Sequence, residues 1–386
     1  MVLPVDFTSD PVGFEQPASS QNGIHWMSLA QSNRMNRGSP FHMSNPQRSD
    51  RFTQPQERIS IAMCTFNGEK YLLPQLNSIL NQTVLPIELV ICDDGSGDKT
   101  LELIHAFAER SSFPVRIIAN SERLGSTKNF ERAIGMCSGE IIALCDQDDM
   151  WYPRKLETLA SIFQSDPSLG GVFSDGDLTG ANGESLGVTL WQSFLFDPQQ
   201  QDAVSRGLAE SVLLRGSVVT GATLAFRSSL RDQLLPIPVS WVHDGWIAWM
   251  LTLNSKLGLS SERLIAYRIH PSQQIGAPAS RISFLKSMAR EGRSRYFQRM
   301  RLKHIAEYQE TSRRFGDLSR YLQHNRCHID APLLCRSEAK ARFSEAVARA
   351  MDMPRMLRLH RILGQTANYF RYSARPFRLL IRDMIL

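Results

Sequence analysis

Five carboxylates close two short apolar runs of this chain. Asp93 and Asp94 end one run, and Asp146, Asp148 and Asp149 end another. Clustered carboxylates repel one another, so a fold keeps them for a cation or for hydrogen-bond donors. Asp146-Gln147-Asp148 sets two of them one residue apart. In an extended or turning backbone both can approach one hard divalent ion, and magnesium or manganese held this way keeps open positions for phosphate oxygens. Asp-x-Asp alone is a weak signal, and a turn with a helix N-cap ahead of Pro153 accounts for it equally. Asp149 suits the N-cap better than the metal. An EF-hand is excluded, because Met150 and Trp151 stand where that loop wants Asp or Asn and then Gly.

Other motifs fail on their spacing. Gly95 to Thr100 lacks the adjacent Gly-Lys-Thr of a phosphate loop. No Gly-x-Gly-x-x-Gly follows the first apolar run, which disfavours a dinucleotide-binding dehydrogenase. No Gly-x-Ser-x-Gly elbow is present. Six cysteines lie far apart without a Cys-x-x-Cys, which argues against a zinc ribbon or a disulfide scaffold. Cys64, Cys92 and Cys145 end apolar runs and read as buried, reduced thiols of a cytosolic protein.

The carboxylates must be positioned by what precedes them. Strand-like runs at 59–64, 87–92, 115–118, 141–144 and 171–173 alternate with stretches of helical spacing, such as Leu72, Leu73, Leu76, Ile79 and Leu80. This alternation predicts β-α-β units and a mostly parallel sheet with helices on both faces. Ligands bind such sheets at the carboxyl ends of the strands, where these carboxylates stand. Residues 178–240 break the rhythm, with a helix expected near 199–214 and a strand over 217–226. A Trp-rich helix is expected from about Asp244.

Composition bounds the ends. Residues 1–57 are rich in Ser, Asn, Gln, Pro and Met and read as a disordered extension. They lack the basic start and apolar core of a secretory signal. No apolar run approaches the ~18 residues of a membrane-spanning helix. Residues 282–386 carry 22 basic side chains against 9 acidic, whereas residues 1–281 carry 22 against 29. A slightly acidic body therefore ends in a basic, helical tail, which suits an anionic partner. The tail lacks interleaved aromatics at regular spacing and any known reader motif, which weighs against nucleic acid. The expected division is 1–57 extension, 58–281 α/β domain and 282–386 basic helical region.

Taken in order, the motifs form a set. Thr65-Phe-Asn-Gly-Glu69, Asp93-Asp-Gly-Ser96, Asn120, Arg123-Leu-Gly-Ser-Thr-Lys-Asn129, Gly139-Glu140 and Asp146-Gln-Asp-Asp-Met-Trp151 fall within about 90 residues. The set resembles the family-two glycosyltransferases of the GT-A fold. Thr220-Gly-Ala222, His243-Asp244 and Tyr267-Arg-Ile-His270 extend the resemblance to about residue 280. The Asp-Gln-Asp-Asp-Met-Trp form and the Tyr-Arg-x-His resemble the rhamnosyltransferase-like branch.

The resemblance implies a Rossmann-like sheet and an inverting, metal-dependent hexosyl- or deoxyhexosyltransferase. Thr65, Phe66, Asn67, Glu69, Asp94, Lys128, Asn129 and Asp146 would bind the nucleotide-sugar, with Phe66 stacking on the base and Asp94 bonding base or ribose. Ordinary core packing is the other reading of Phe66, and a solvated surface role that of Lys128 and of Arg123. Asp146, Asp148 and His270 would hold Mg2+ or Mn2+ across the two phosphates, although a lone His is also commonly structural. Asp244 would be the catalytic base; its rival role is a helix N-cap. The family more often has Glu-Asp where this chain has His243-Asp244. Trp246 and Trp249 read as core rather than acceptor site. The implied donor is dTDP-rhamnose, with UDP-sugars next. The implied acceptor is a hydroxyl of a growing surface glycan or a lipid-linked sugar. The implied location is the cytoplasm, with the basic tail on the anionic inner face of the plasma membrane. A non-catalytic nucleotide- or glycan-binding module on the same fold is the alternative.

Overall fold

A computed structural model describes residues 58–271, 273, 293–324 and 331–386. The extension expected over residues 1–57 lies outside the described residues. Among the described residues nine strands form one sheet: β1 (Ile59–Thr65), β2 (Glu88–Asp93), β3 (Val115–Ala119), β4 (Ile141–Asp146), β5 (Met150–Trp151), β6 (Leu169–Thr179), β7 (Ser185–Thr189), β8 (Leu224–Arg227) and β9 (Lys256–Arg268). Their order is β3-β2-β1-β4-β8-β6-β9-β5, with β7 paired to β6.

The first four strands are parallel neighbours. Their near-continuous apolar runs follow from cover on both faces. Ile59, Ile61 and Met63 pack with Leu72, Leu76, Ile104 and Phe107 on one side. Ala62 and Cys64 pack with Phe130, Ile134 and Trp246 on the other. Cys64, Cys92 and Cys145 are buried free thiols, as expected from their positions.

The chain runs outward from β1 through β2 to β3 and then returns to β1's other side as β4. That reversal opens a crevice at the carboxyl ends of β1 and β4. Register brings the polar ends level: Thr65 pairs with Asp93, and Cys64 with Asp146.

Beyond β4 the sheet departs from the parallel pattern. β8 inserts antiparallel between β4 and β6, and β5 and β7 are also antiparallel. The expected strand over 217–226 is confined to Leu224–Arg227, after a tight turn over Gly221–Thr223. The helix expected near 199–214 is two, Pro198–Ser205 and Ala209–Leu213. Gly207 separates them with a φ of 79°, a left-handed conformation that glycine adopts without strain. The strand expected at 171–173 runs from Leu169 to Thr179.

Gly139, before β4, is packed against the start of β1. A Cβ there would lie 2.7 Å from the Arg58 carbonyl oxygen and 2.7 Å from the Ser60 backbone nitrogen. Gly139→Ala should lower unfolding free energy by about 1–3 kcal/mol, the cost of overpacking. Urea titration reads this, and an unchanged midpoint would show that the strand ends part freely.

Helix Arg293–His324 returns to the body, where Phe315 packs on Trp241 and Trp249 at ring distances of 6.0 Å. Trp246 and Trp249 are therefore core residues, as read from the sequence. Helix Ala331–Met351 lies along it, and Arg355–Leu363, Thr366–Tyr372 and Pro376–Ile385 complete a smaller cluster around Phe343, Val347 and Tyr369. Lys340 is buried there, beneath Phe315 and Tyr372, and donates to the Tyr372 carbonyl. Burial pushes its ammonium from 10.5 down to about 7. Between these values the unfolded chain holds a proton that the folded chain has lost. Stability should rise with pH from about 7 to about 10 through this group, by at most about 1.4 kcal/mol per pH unit. Comparing wild type with Lys340→Met by chemical denaturation isolates the contribution, and parallel pH profiles would refute it.

Candidate active site

A cleft of about 500 Å³ opens where β1 and β4 end, and its walls come from several separate parts of the chain. The loop after β1 contributes Thr65, Phe66 and Asn67. The loop after β4 contributes Asp146, Gln147 and Asp148. The helix Ser126–Met136 contributes Asn129 and Phe130, and the far side contributes Gly221, Asp244, Tyr267 and His270.

Reciprocal bonds fix the first two loops to each other. Gln147 accepts from the Phe66 N–H at 2.9 Å and donates to the Phe66 carbonyl at 3.1 Å. Asn67, at φ 47°, accepts from the Gly97 N–H, and its own N–H donates to Ser96. Asp93 accepts from Thr65 and from both the N–H and hydroxyl of Ser96. Asp94 accepts from Asn120, from the Leu124 N–H at 2.7 Å and from the Gly125 N–H at 2.9 Å. Its carboxylate thus shapes the loop that carries Arg123. The Arg123 guanidinium lies 3.9 Å from the Phe66 ring centre, a cation–π stack on the cleft wall. Phe66 is therefore at the cleft, not in the core. Asn129 is buried and ties the Cys92 carbonyl to Asn120.

Three carboxylates share the floor. Burial pushes Asp146 up to about 7, helped by the charges of Asp148 and Asp244. Burial also raises Asp149, with Asp148 and then Asp146 adding to it. One oxygen of Asp149 is buried without a hydrogen-bond partner among the described residues. Beneath them Lys155 is buried and donates to the Ala222 carbonyl; its ammonium is drawn down to about 8, chiefly by burial. Among the described residues, the carboxylates of Asp146, Asp148, Asp149 and Asp244 outnumber the two buried cations behind them, Lys155 and Arg268, and the carboxylate oxygens are the donors a hard divalent ion selects. Among the described residues no three His, Cys, Asp or Glu side chains converge to enclose an ion by themselves. The floor thus fits an ion that Asp146 and Asp148 would hold and that a diphosphate would complete, the arrangement usual for magnesium.

His270 reaches the same floor. Its Nε2 lies 2.8 Å from Asp148 Oδ2, and its ring packs 4.3 Å from Tyr71. In this arrangement the imidazole orients the Asp148 carboxylate. Arg268 supports the floor from behind, donating its N–H to Asp149 and its Nε to the Asp148 carbonyl.

Asp244 stands in the first turn of helix His243–Asn254, one residue inside it; Val242, not Asp244, is the N-cap. Its two oxygens accept from the Gly221 N–H at 3.1 Å and the Gly245 N–H at 2.6 Å. A carboxylate has about four acceptor sites, so capacity remains on each oxygen toward the cleft. His243 is buried and stacked on Phe130 at 3.9 Å.

Three readings are corrected by the geometry. Glu69 does not line the cleft: it is exposed and accepts from the Lys99 N–H. Lys128 faces away from the cleft, pairing with Glu131 at 2.7 Å and donating to the Ile237 carbonyl. Asp149 caps no helix; the helix after it begins at Lys155 with Arg154 as N-cap, and Asp149 accepts from Arg268 instead. The sequence reasoning missed Gln147, Lys155 and Arg268. Each is a single polar residue whose role depends on a partner 67 to 120 positions away.

Comparison with known proteins agrees with this geometry. Residues 60–209 match the family model described as glycosyl transferase family 2. An uncharacterized glycosyltransferase of Nostoc is 29% identical over 241 residues, 61% of this chain and 72% of that protein. The UDP-Glc:alpha-D-GlcNAc-diphosphoundecaprenol beta-1,3-glucosyltransferase WfgD of Escherichia coli is 32% identical over 104 residues, 27% of this chain and 40% of that one. The chondroitin synthase of Escherichia coli is 35% identical over 118 residues, 30% of this chain and 17% of that protein. Among solved structures, Staphylococcus aureus TarS in complex with UDP-GlcNAc aligns over 85% of this chain and 88% of its own, at 16% identity and a TM-score of 0.47. Over residues 60–209 the chain is similar to the family-2 glycosyltransferases.

Proposed function

We propose that this chain is a family-2 glycosyltransferase and moves one sugar from a pyrimidine nucleoside diphosphate to an acceptor hydroxyl, with inversion. The observation that carries the reading is Asp244 facing the Asp146–Asp148 floor across one cleft, its carboxylate fixed by two backbone N–H groups. The Phe66 ring and the Arg123 guanidinium form a flat wall on which a base stacks. Asp146 and Asp148 would hold Mg2+ or Mn2+, which would offset charge on the departing diphosphate. Asp244 takes the proton of the acceptor oxygen as that oxygen attacks the anomeric carbon and the bond to the diphosphate breaks. One base opposite the leaving group gives single displacement.

The first donor to test is dTDP-rhamnose, on the rhamnosyl-like form of Asp146 to Trp151 and Tyr267 to His270. UDP-sugars are the second, supported by the Escherichia coli relative named for UDP-Glc. That relative is also named for a diphosphoundecaprenol-linked sugar, which supports a lipid-linked glycan as acceptor. The test is a panel of sugar nucleotides with Mg2+ or Mn2+, scored for nucleoside diphosphate release. Metal-dependent release from one donor is expected. Donor binding without release, in the presence of candidate acceptors, would favour a binding module.

A further inference from the structure

The last three helices, Arg355–Leu363, Thr366–Tyr372 and Pro376–Ile385, hide only part of their apolar surface. Ile362, Tyr369 and Leu380 are buried in the cluster with Phe343 and Val347. Met356, Leu357, Leu363, Phe370, Phe377 and Ile381 are exposed, from 41% for Phe370 to 80% for Met356. Among the described residues, 17 large apolar side chains are exposed, and seven of them fall between residues 356 and 385. Such concentration marks an interaction surface, whereas singly scattered apolar residues do not.

The charge of this face is one-sided. Residues 355–386 hold seven Arg and one acidic side chain, Asp383. Asp383 is fully buried, accepting from Tyr308 at 2.6 Å and Tyr369 at 2.7 Å and pairing with Arg382. No acidic side chain of these helices therefore reaches the surface. Arg355, Arg361, Arg371 and Arg378 are exposed among the apolar side chains.

We infer that this face docks on an anionic lipid surface. A second copy of the chain would set guanidinium against guanidinium. A nucleic acid would accept the Arg residues but not the Met, Leu and Ile side chains. A lipid leaflet accepts both, with phosphates for the Arg residues and the acyl boundary for the apolar ones. Among the described residues no helix is long and apolar enough to cross a membrane, so the helices lie on the leaflet. The face is joined to the cleft: Arg375 donates to the Ser193 carbonyl at 3.0 Å, and Ser193 and Phe194 line the cleft. The docking itself does not depend on the transfer reaction. That it brings a lipid-borne hydroxyl toward the cleft rests on that reading.

Co-sedimentation of the full chain with phosphatidylglycerol vesicles, against phosphatidylcholine, is the test. Binding to the anionic vesicles that weakens with added salt is expected. The paired substitutions are R371E/R378E and F377S/I381S, all at exposed positions whose change should leave the melting temperature unaltered. Each Arg on anionic lipid contributes about fivefold, so R371E/R378E should lower the partition coefficient by roughly 25-fold or more. F377S/I381S should lower it roughly tenfold. A full-length chain that stays in the supernatant at low salt overturns the inference, as does undiminished binding by both variants. Self-association in sedimentation velocity that F377S/I381S abolishes, without vesicle binding, would assign the face to a second copy instead.

Discussion

Asp244→Asn should lower kcat by roughly 10²–10⁴, the range that a positioned general base contributes. The amide is nearly the same shape, and its oxygen can keep the bond from the Gly221 N–H. Its nitrogen cannot accept from Gly245, as the carboxylate does now, and the amide cannot take a proton from an attacking hydroxyl. Donor affinity should stay near wild type, because the base acts on the acceptor. Turnover is read as nucleoside diphosphate release with acceptor present, and donor affinity by calorimetry. Wild-type turnover in the variant would place the base elsewhere and remove the main support for the proposed chemistry. A large loss of donor affinity with unchanged kcat would give Asp244 a binding role.

The parallel half of the sheet was legible because burial on both faces writes unbroken apolar runs, and a polar residue then marks where each strand leaves the core. Asp94, Asp146 and Asp148 could be placed at one edge on that ground alone. The antiparallel half was less legible. β8 is four residues long, and its partners β4 and β6 lie far away in sequence, so no local period announces it. Lys128 was open to a better reading. Ser126, Asn129 and Phe130 line the cleft at spacings of three and four, and Lys128 falls off that helical face. Gln147 was hidden between two acids. Its clamp on Phe66 also fills the space beside Gly68, where a Cβ would lie 2.3 Å from the Gln147 oxygen. Lys155 read as an ordinary charge at a helix start, and only the approach of Ala222 shows it to be buried. The tail's basic charge was visible, but which of its apolar side chains face Phe343 and which face outward is set by tertiary packing.

The metal-linked binding of nucleoside diphosphate should separate the roles of Asp148 and His270. With Mg2+ or Mn2+ present, wild type should bind the diphosphate more tightly than in chelator. Asp148→Ala should abolish that tightening, since it leaves a single aspartate to hold the ion against competing water. His270→Ala should behave differently if the imidazole acts through Asp148, as its 2.8 Å bond to Oδ2 indicates. Loss of such an outer partner typically costs 10–100-fold in metal affinity and leaves the tightening recoverable at higher metal. If His270 instead ligates the ion directly, its removal should abolish the tightening as completely as that of Asp148. Calorimetry across a metal titration distinguishes the two, and melting temperatures confirm that both variants fold. Equal affinity of the wild type with and without metal would refute the metal-bridged diphosphate. It would return Asp146 and Asp148 to a role in which the donor's own hydrogen-bond donors, rather than an ion, satisfy the floor. Asp146, whose carboxyl is pushed up to about 7 by desolvation and by the charges of Asp148 and Asp244, would then be the group to examine first, because a carboxyl at the cleft floor can bond a ribose hydroxyl directly.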